Sequence, residues 1–184
     1  MQLDTDRLVL REFSDSDFPA LRAIESLPET HRYEQVAIPA EEMTRAYLLN
    51  AIARAAEQPR VEFRLALTIR PADWVRGRIG LIRLRPEAGE WEIGWVMHKD
   101  DWGKGYATEA ARAMLGYAFS ELGVHRVVAF CNALNTASYR VMEKLGMQRD
   151  GLLRESLRWN GQWVDECVYA ILERDWKQQN QARE

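Results

Sequence analysis

Residues Asp100 to Ala110 read D-D-W-G-K-G-Y-A-T-E-A, two glycines spaced by one lysine at the entrance to a run of helix formers. Inside a helix glycine mainly destabilises, whereas at a helix entrance it lets the backbone take φ > 0 or lets a ligand approach closely. Upstream, W-E-I-G-W-V-M-H from Trp91 to His98 reads as a strand, so the glycines stand where a strand delivers the chain to a helix N-terminus. Such an end carries unpaired N–H groups and partial positive charge, and phosphate is its natural guest. The stretch is therefore either a turn or a cradle.

Working outward, Ala107, Ala110, Ala111, Met114, Leu115, Ala118, Phe119 and Leu122 recur at helical spacing, and Gly123 suits the C-terminal cap. Arg126 to Cys131 reads as a short strand, and Thr136 to Leu145, with Gly146 behind it, as a helix. Met147 to about Leu157 and Trp163 to Leu172 read as two closing strands joined at the hairpin signal Asn160-Gly161. Before the quoted stretch, Glu62 to Ile69, Arg78 to Arg85 and Glu90 to His98 read as an antiparallel meander. Arg7 to Phe13 reads as a first strand, Phe18 to Ile24 as a first helix and Ala40 to Gln58 as a second, longer one. The proline-bounded segment between those helices is irregular. The order predicts one α/β domain over residues 1–184, a mixed, mostly antiparallel sheet flanked by helices.

Composition narrows the function. With 184 residues and 47% hydrophobic content the chain is long enough for one substantial core. The 25 Lys and Arg are spread among 28 Asp and Glu for a net charge of −3, so no basic stripe points to nucleic acid. No apolar run is long enough to cross a bilayer. Cys131 and Cys167 form no C-x-x-C pair and no signal segment opens the chain, so reduced thiols in the cytoplasm are expected. His31, His98 and His125 lie far apart with no ligand cluster around them, and no metal is expected.

Two phosphate motifs fail on spacing. A P-loop needs G-x-x-x-x-G-K-[ST], but Lys104 precedes Gly105; a dinucleotide fingerprint needs Gly or Ala where Thr108 stands. W-G-K-G-Y-A from Trp102 to Ala107 fits Q/R-x-x-G-x-G/A except for its first residue. That loop resembles the pyrophosphate loop of the GNAT superfamily of acetyl-CoA-dependent N-acetyltransferases. The opening T-D-R-L-V-L-R-E-F-S-D-S-D-F, the strand-loop-helix E-I-G-W-V-M-H-K-D-D-W-G-K-G-Y-A-T-E-A and N-T-A-S-Y-R-V-M-E-K-L-G-M resemble its RimJ/RimL-like branch, which acetylates ribosomal-protein N-termini. The resemblance spans nearly the whole chain and is weakest from Glu25 to Arg60.

The resemblance implies acetyl-CoA as co-substrate, with the N–H groups from Gly103 through Lys104, Gly105, Tyr106 and Ala107 to Thr108 nested around its pyrophosphate. Lys104 either adds charge there or is a solvated side chain. The strand ending at Val96 and Met97 would splay from its neighbour and offer free backbone groups to the pantetheine arm, with Gly94 supplying a local irregularity. Asn135 binds the same arm, caps the following helix, or does both. Glu92 is the candidate base for the incoming ammonium, its alternative being a solvent-facing strand residue. A backbone N–H near Met97 would polarise the thioester carbonyl. Several branches place a tyrosine acid where this chain has Met142, so Ser138, one turn earlier on the same helical face, is the candidate acid; its alternative is packing. Trp91, Trp95 and Trp163 are candidate cleft residues, and Cys131 reads as a core residue. The expected reaction is direct acetyl transfer to a primary amine in a ternary complex, the amine being a protein N-terminus. A small-molecule amine and a non-catalytic acyl-CoA-binding module are the alternatives, and homodimerisation is left open.

Overall fold

The computed structural model describes residues 1–33 and 38–181. Glu34 to Ala37, part of the irregular segment, lie outside the described residues. The elements run β1 (Gln2–Asp4), β2 (Leu8–Glu12), α1 (Phe18–Glu25), α2 (Glu41–Arg54), β3 (Glu62–Ile69), β4 (Val75–Arg85), β5 (Glu90–Met97), α3 (Tyr106–Ser120), β6 (Arg126–Asn132), α4 (Thr136–Lys144), β7 (Gln148–Trp159), β8 (Gln162–Leu172) and α5 (Glu173–Gln181). The strands form one sheet in the order β1-β2-β3-β4-β5-β6-β8-β7. Every neighbouring pair is antiparallel except β5 and β6, whose parallel relation requires the crossover that α3 supplies. The expected mixed α/β sheet is thus observed, with β3, β4 and β5 as its meander.

Each sheet face has its own core. The alanine-rich stripe Ala110, Ala111, Met114, Leu115, Ala118 of α3 lies on Leu10, Leu65, Leu67, Ile79, Leu81 and Ile93, all fully or nearly fully buried. The small side chains let helix and sheet approach closely, so the N-terminus of α3 is fixed against the sheet. On the opposite face α1 and α2 cover Ala66 and Val75 with Leu21, Ile24, Leu48 and Ala51. Among the described residues no helix is long and apolar enough to cross a membrane.

The pairing of β5 with β6 decides where a ligand can enter. It runs only through Glu90↔Arg126, Trp91↔Val127 and Glu92↔Val128, after which the strands part. At the closed end Glu90, 1% exposed, accepts from Arg85 Nε and Nη2 at 2.7 Å each and from Arg126 Nε at 2.7 Å. Arg85 first, then Arg126, outweigh burial and hold this carboxyl below the usual range. Meanwhile β5 stays paired with β4 along its length, Gly94 sitting opposite Gly80. The expectation that Gly94 makes a local irregularity is therefore corrected: the register with β4 shifts only between Arg83 and Arg85, β6 stays in register with β8, and the splay is a parting of two regularly paired strands.

Other expectations change at their ends. β4 begins at Val75, three residues before the expected Arg78, because Val75 is buried and pairs with Thr68. The chain closes on α5, not on a strand; its sequence E-R-D-W-K-Q-Q-N-Q has one apolar residue and no periodicity, and the helix is docked through Trp176, whose ring stacks on Phe119 at 5.8 Å. β1 is three residues long and too short to alternate visibly. The hairpin signal holds: Asn160 and Gly161 take φ of 48° and 78° between β7 and β8.

Gly77 reveals a steric constraint behind the end of β5. A Cβ there would lie 2.5 Å from the Val96 carbonyl oxygen and 2.6 Å from Met97 Sδ, whereas at Gly80 the nearest atom is 3.8 Å away. Gly77→Ala is therefore expected to destabilise the protein by about 1–3 kcal/mol in urea denaturation. Gly80→Ala is expected to be neutral or stabilising, since only backbone entropy changes there. Equal effects at both positions contradict the close approach.

Candidate functional site

The splay opens a cleft of about 540 Å³ between β5 and β6, reaching the first turn of α3 and one face of α4. Along β5 the backbone alternates its edges. His98 N–H donates to Arg76 O on the β4 side at 2.8 Å, so one residue back the Met97 N–H faces the opposite edge, toward the splay. The Met97 carbonyl on that edge accepts from Trp102 Nε1 at 2.8 Å, which leaves the N–H as the polar group offered there. Val96 and Met97 both line the cleft, but by the same alternation the Val96 N–H and C=O face β4, so the expectation that Val96 offers free backbone groups is corrected and Met97 alone of the two offers them.

The glycine stretch is a left-handed turn that opens α3. Gly103 and Gly105 take φ of 74° and 84°, conformations open to glycine and strained for other residues. Gly105 is the N-cap of α3, and the first intrahelical bond runs from Glu109 N–H to Gly105 O at 3.0 Å. The amides of Tyr106, Ala107 and Thr108 precede that bond, and no cap side chain is bonded to them. Gly103, Gly105, Tyr106, Ala107 and Thr108 all line the cleft; Lys104 does not. Lys104 Nζ instead donates to Asp101 Oδ1 at 3.0 Å, and Arg76 Nε donates to Asp101 Oδ2 at 2.6 Å. Burial raises the Asp101 carboxyl, but the bonds from Arg76 and Lys104 outweigh it and hold the group below the usual range. Lys104 thus serves the loop's structure with its ammonium.

The far wall comes from β6 and α4. Asn135 is the N-cap of α4, its Oδ1 accepting from the Ser138 N–H at 3.1 Å, and it also lines the cleft. Both expectations for Asn135 are compatible with that position. Ser138 lines the cleft beside Cys131, whose thiol burial and the facing Cys167 push up to about 12, against the opposing effect of the Ser138 hydroxyl. A thiol so protonated is a poor nucleophile, in keeping with its reading as a core residue. Met142 is 1% exposed. Arg140 and Lys144, unnoticed in the sequence, share one face of α4 at i, i+4 spacing and bring positive charge to the cleft.

Glu92 lies just past the wall: the lining of β5 starts one residue on, at Ile93. Its half-buried carboxyl is raised by desolvation and then by Glu166 on β8, itself raised by burial. Neither has a hydrogen-bond or ion-pair partner among the described residues. Glu166 was missed in the sequence because its relation to Glu92 depends on the order β5-β6-β8. Glu29, Thr30 and Tyr33, from the segment after α1, close this side; Lys99 Nζ donates to Glu29 at 2.8 Å and Tyr33 stacks on Trp159 at 6.2 Å. Of the tryptophans, Trp95 and Trp102 line the cleft, Trp91 is in the core and Trp163 is exposed.

The donor set suits a long anionic thioester. Uncapped amides at a helix N-terminus match a pyrophosphate, the free β5 edge matches an amide-bearing arm, and Arg140 with Lys144 match further phosphate.

Comparison with known proteins agrees. The model of the acetyltransferase (GNAT) domain matches residues 7–148. An uncharacterized N-acetyltransferase of Bacillus subtilis (strain 168), YnaD, is 35% identical over 176 residues, 96% of this chain and 99% of the relative. The crystal structure of a GNAT-family acetyltransferase from Bacillus anthracis superposes with a TM-score of 0.83 at 33% identity, covering 95% of this chain and 99% of that one. Two more distant structures share the fold: a spermidine N-acetyltransferase from Vibrio cholerae with CoA and spermine (19% identity, TM-score 0.81, 94% and 99% covered), and RimL, a ribosomal L7/L12 α-N-protein acetyltransferase with coenzyme A (18%, 0.80, 94% and 98%). The chain belongs to the GNAT family and is an acetyl-CoA-dependent N-acetyltransferase.

Proposed function

We propose that the chain acetylates the α-amine of a protein N-terminus, the amine attacking the thioester directly in a ternary complex. The observation that carries the transferase site is the single cleft that joins the splayed β5 edge to the uncapped start of α3. Acetyl-CoA supplies an activated acetyl group and a thiolate leaving group. Gly103, Gly105, Tyr106, Ala107 and Thr108 bind its pyrophosphate through backbone amides, Met97 and Asn135 orient the arm, and Val96 lines its path. The Met97 N–H polarises the thioester carbonyl. Glu92 takes the proton from the acceptor ammonium, directly or through water, and Ser138 returns one to sulfur. The acceptor reading is supported by the resemblance of T-D-R-L-V-L-R and N-T-A-S-Y-R to ribosomal N-terminal acetyltransferases. One observation favours a second acceptor: two carboxylates without a hydrogen-bond or ion-pair partner among the described residues, Glu92 and Glu166, suit a small diamine or polyamine, the acceptor type of the spermidine enzyme that shares the fold. Thiol release from acetyl-CoA measured with free and N-blocked peptides and with diamines separates the two. Turnover confined to diamines overturns the N-terminal reading.

The raised carboxyl of Glu92 sets a pH dependence. Its basic form is lost as pH falls through the raised value, so kcat/KM is expected to decline on an acid limb above the ordinary carboxylate range. Glu92→Gln is expected to lower kcat/KM at neutral pH by about ten- to a hundredfold and to abolish that limb, with acetyl-CoA affinity unchanged and part of the rate recovered at higher pH. An unaltered limb removes Glu92 from the mechanism.

Ser138→Ala is expected to lower kcat by about ten- to a hundredfold with acetyl-CoA, and by less with a thioester whose leaving thiol is more acidic. Full activity with both thioesters assigns Ser138 to packing.

A further inference from the structure

The turn between β1 and β2 reaches across the sheet edge to the glycine loop. Thr5 Oγ1 donates to Glu109 Oε1 at 2.6 Å, and the Arg7 N–H donates to the same oxygen at 3.0 Å. Arg7 Nε donates to Glu109 Oε2 at 2.7 Å, its Nη2 lies 2.6 Å from that oxygen, and its Nη1 donates to the Lys104 carbonyl at 3.0 Å. The guanidinium also covers the Tyr106 ring, 4.7 Å from its centroid. One planar cation thus holds the backbone just before Gly105, the ring just after it, and a carboxylate at the end of the first turn of α3.

From this geometry we infer that Arg7 is a positioning residue for the pyrophosphate loop, an inference that rests on the reading of the cleft as the acetyl-CoA site. A trans peptide is planar, with its carbonyl and the following N–H pointing in opposite directions. Holding the Lys104 carbonyl toward Arg7 therefore aims the Gly105 N–H the other way, and Gly105 lines the cleft. A carbonyl turned into the same space would repel phosphate oxygens. Glu109 poses a second electrostatic problem, because a carboxylate in the first turn competes with an anion at the helix N-terminus. Burial raises its carboxyl, but the bonds from Thr5 and Arg7 outweigh this and keep it ionised. Arg7 balances that charge while using the carboxylate as its own anchor. The far flank is fixed separately, by Arg76 and Lys104 on Asp101. Lys104 is consequently gripped at both its carbonyl and its ammonium, by different partners.

The test compares acetyl-CoA with S-acetylpantetheine, which carries the same thioester and arm without the pyrophosphate. Wild-type enzyme is expected to show the lower KM for acetyl-CoA; no such preference overturns the cleft reading, and the inference with it. Given that preference, Arg7→Ala is expected to raise KM for acetyl-CoA by about tenfold with kcat within about twofold, and to leave KM for S-acetylpantetheine unchanged. A general loosening of the fold raises both KM values together, and that result, or no change in either, overturns the inference. Arg7→Lys retains a pair with Glu109 but cannot also hold the Lys104 carbonyl with a second arm; it is expected to raise KM for acetyl-CoA alone by about threefold. It carries the test if the alanine variant does not fold, and wild-type behaviour of the lysine variant then overturns the inference.

Discussion

The site exists because two strands stop bonding. Backbone N–H and C=O groups inside a protein are nearly always paired, and a sheet is the usual way to pair them. Here β5 and β6 keep three residue pairs and then part, leaving an edge of β5 in the interior of an otherwise continuous sheet. Such an edge is satisfied by water, by side chains such as Trp102 on the Met97 carbonyl, or by a ligand, so the opened strand offers main-chain groups that a ligand can use. α3 joins the two strands, and its N-terminus, the other place where backbone donors go unpaired, falls beside the same opening. Both halves of the site are deficits of main-chain hydrogen bonding, and a ligand rich in amide and phosphate groups answers both.

The side chains around the cleft serve mainly to keep those deficits aimed. Asp101 ties Arg76 to Lys104, Trp102 occupies the Met97 carbonyl, and Asn135 caps the helix that presents Ser138. Near the loop Lys104 pairs with Asp101 and Arg7 with Glu109, whereas Glu92 and Glu166 have no hydrogen-bond or ion-pair partner among the described residues. This division matches the two tasks proposed for the site: binding needs rigid donors, whereas proton transfer needs a carboxylate free to change state.

Much of this was legible in the sequence where the signal is local. The periodicity of Ala110 to Phe119, the glycines at 103 and 105 and the Asn160-Gly161 turn each fix a backbone conformation within a few residues, and all three appear as expected. What escaped notice depends on contacts distant in the chain. Glu166 meets Glu92 only because β8 lies next to β6, and Arg7 meets Glu109 across 102 positions. α5 escaped for a different reason: its one buried residue, Trp176, stacks on Phe119, and Gln179 Nε2 donates to Gly146 O, so the helix is docked without apolar periodicity. The role given to Gly94 failed because irregularity was sought within one strand, while β5 keeps its register with β4 there, β6 keeps its register with β8, and the opening lies between them.

The last pair that β5 and β6 share is Glu92↔Val128, two residues beyond Glu90 and its two arginines. Mechanically this is the vertex of a wedge, and the arms are long. From Glu92 to Met97 the strand runs five residues, about 16 Å at about 3.3 Å per residue. An angular change of about 2° at the vertex moves the mouth by about 0.5 Å, comparable to the tolerance of a well-aligned site. The three charge-assisted hydrogen bonds on one buried carboxylate hold the closed end of that wedge, two residues behind its vertex.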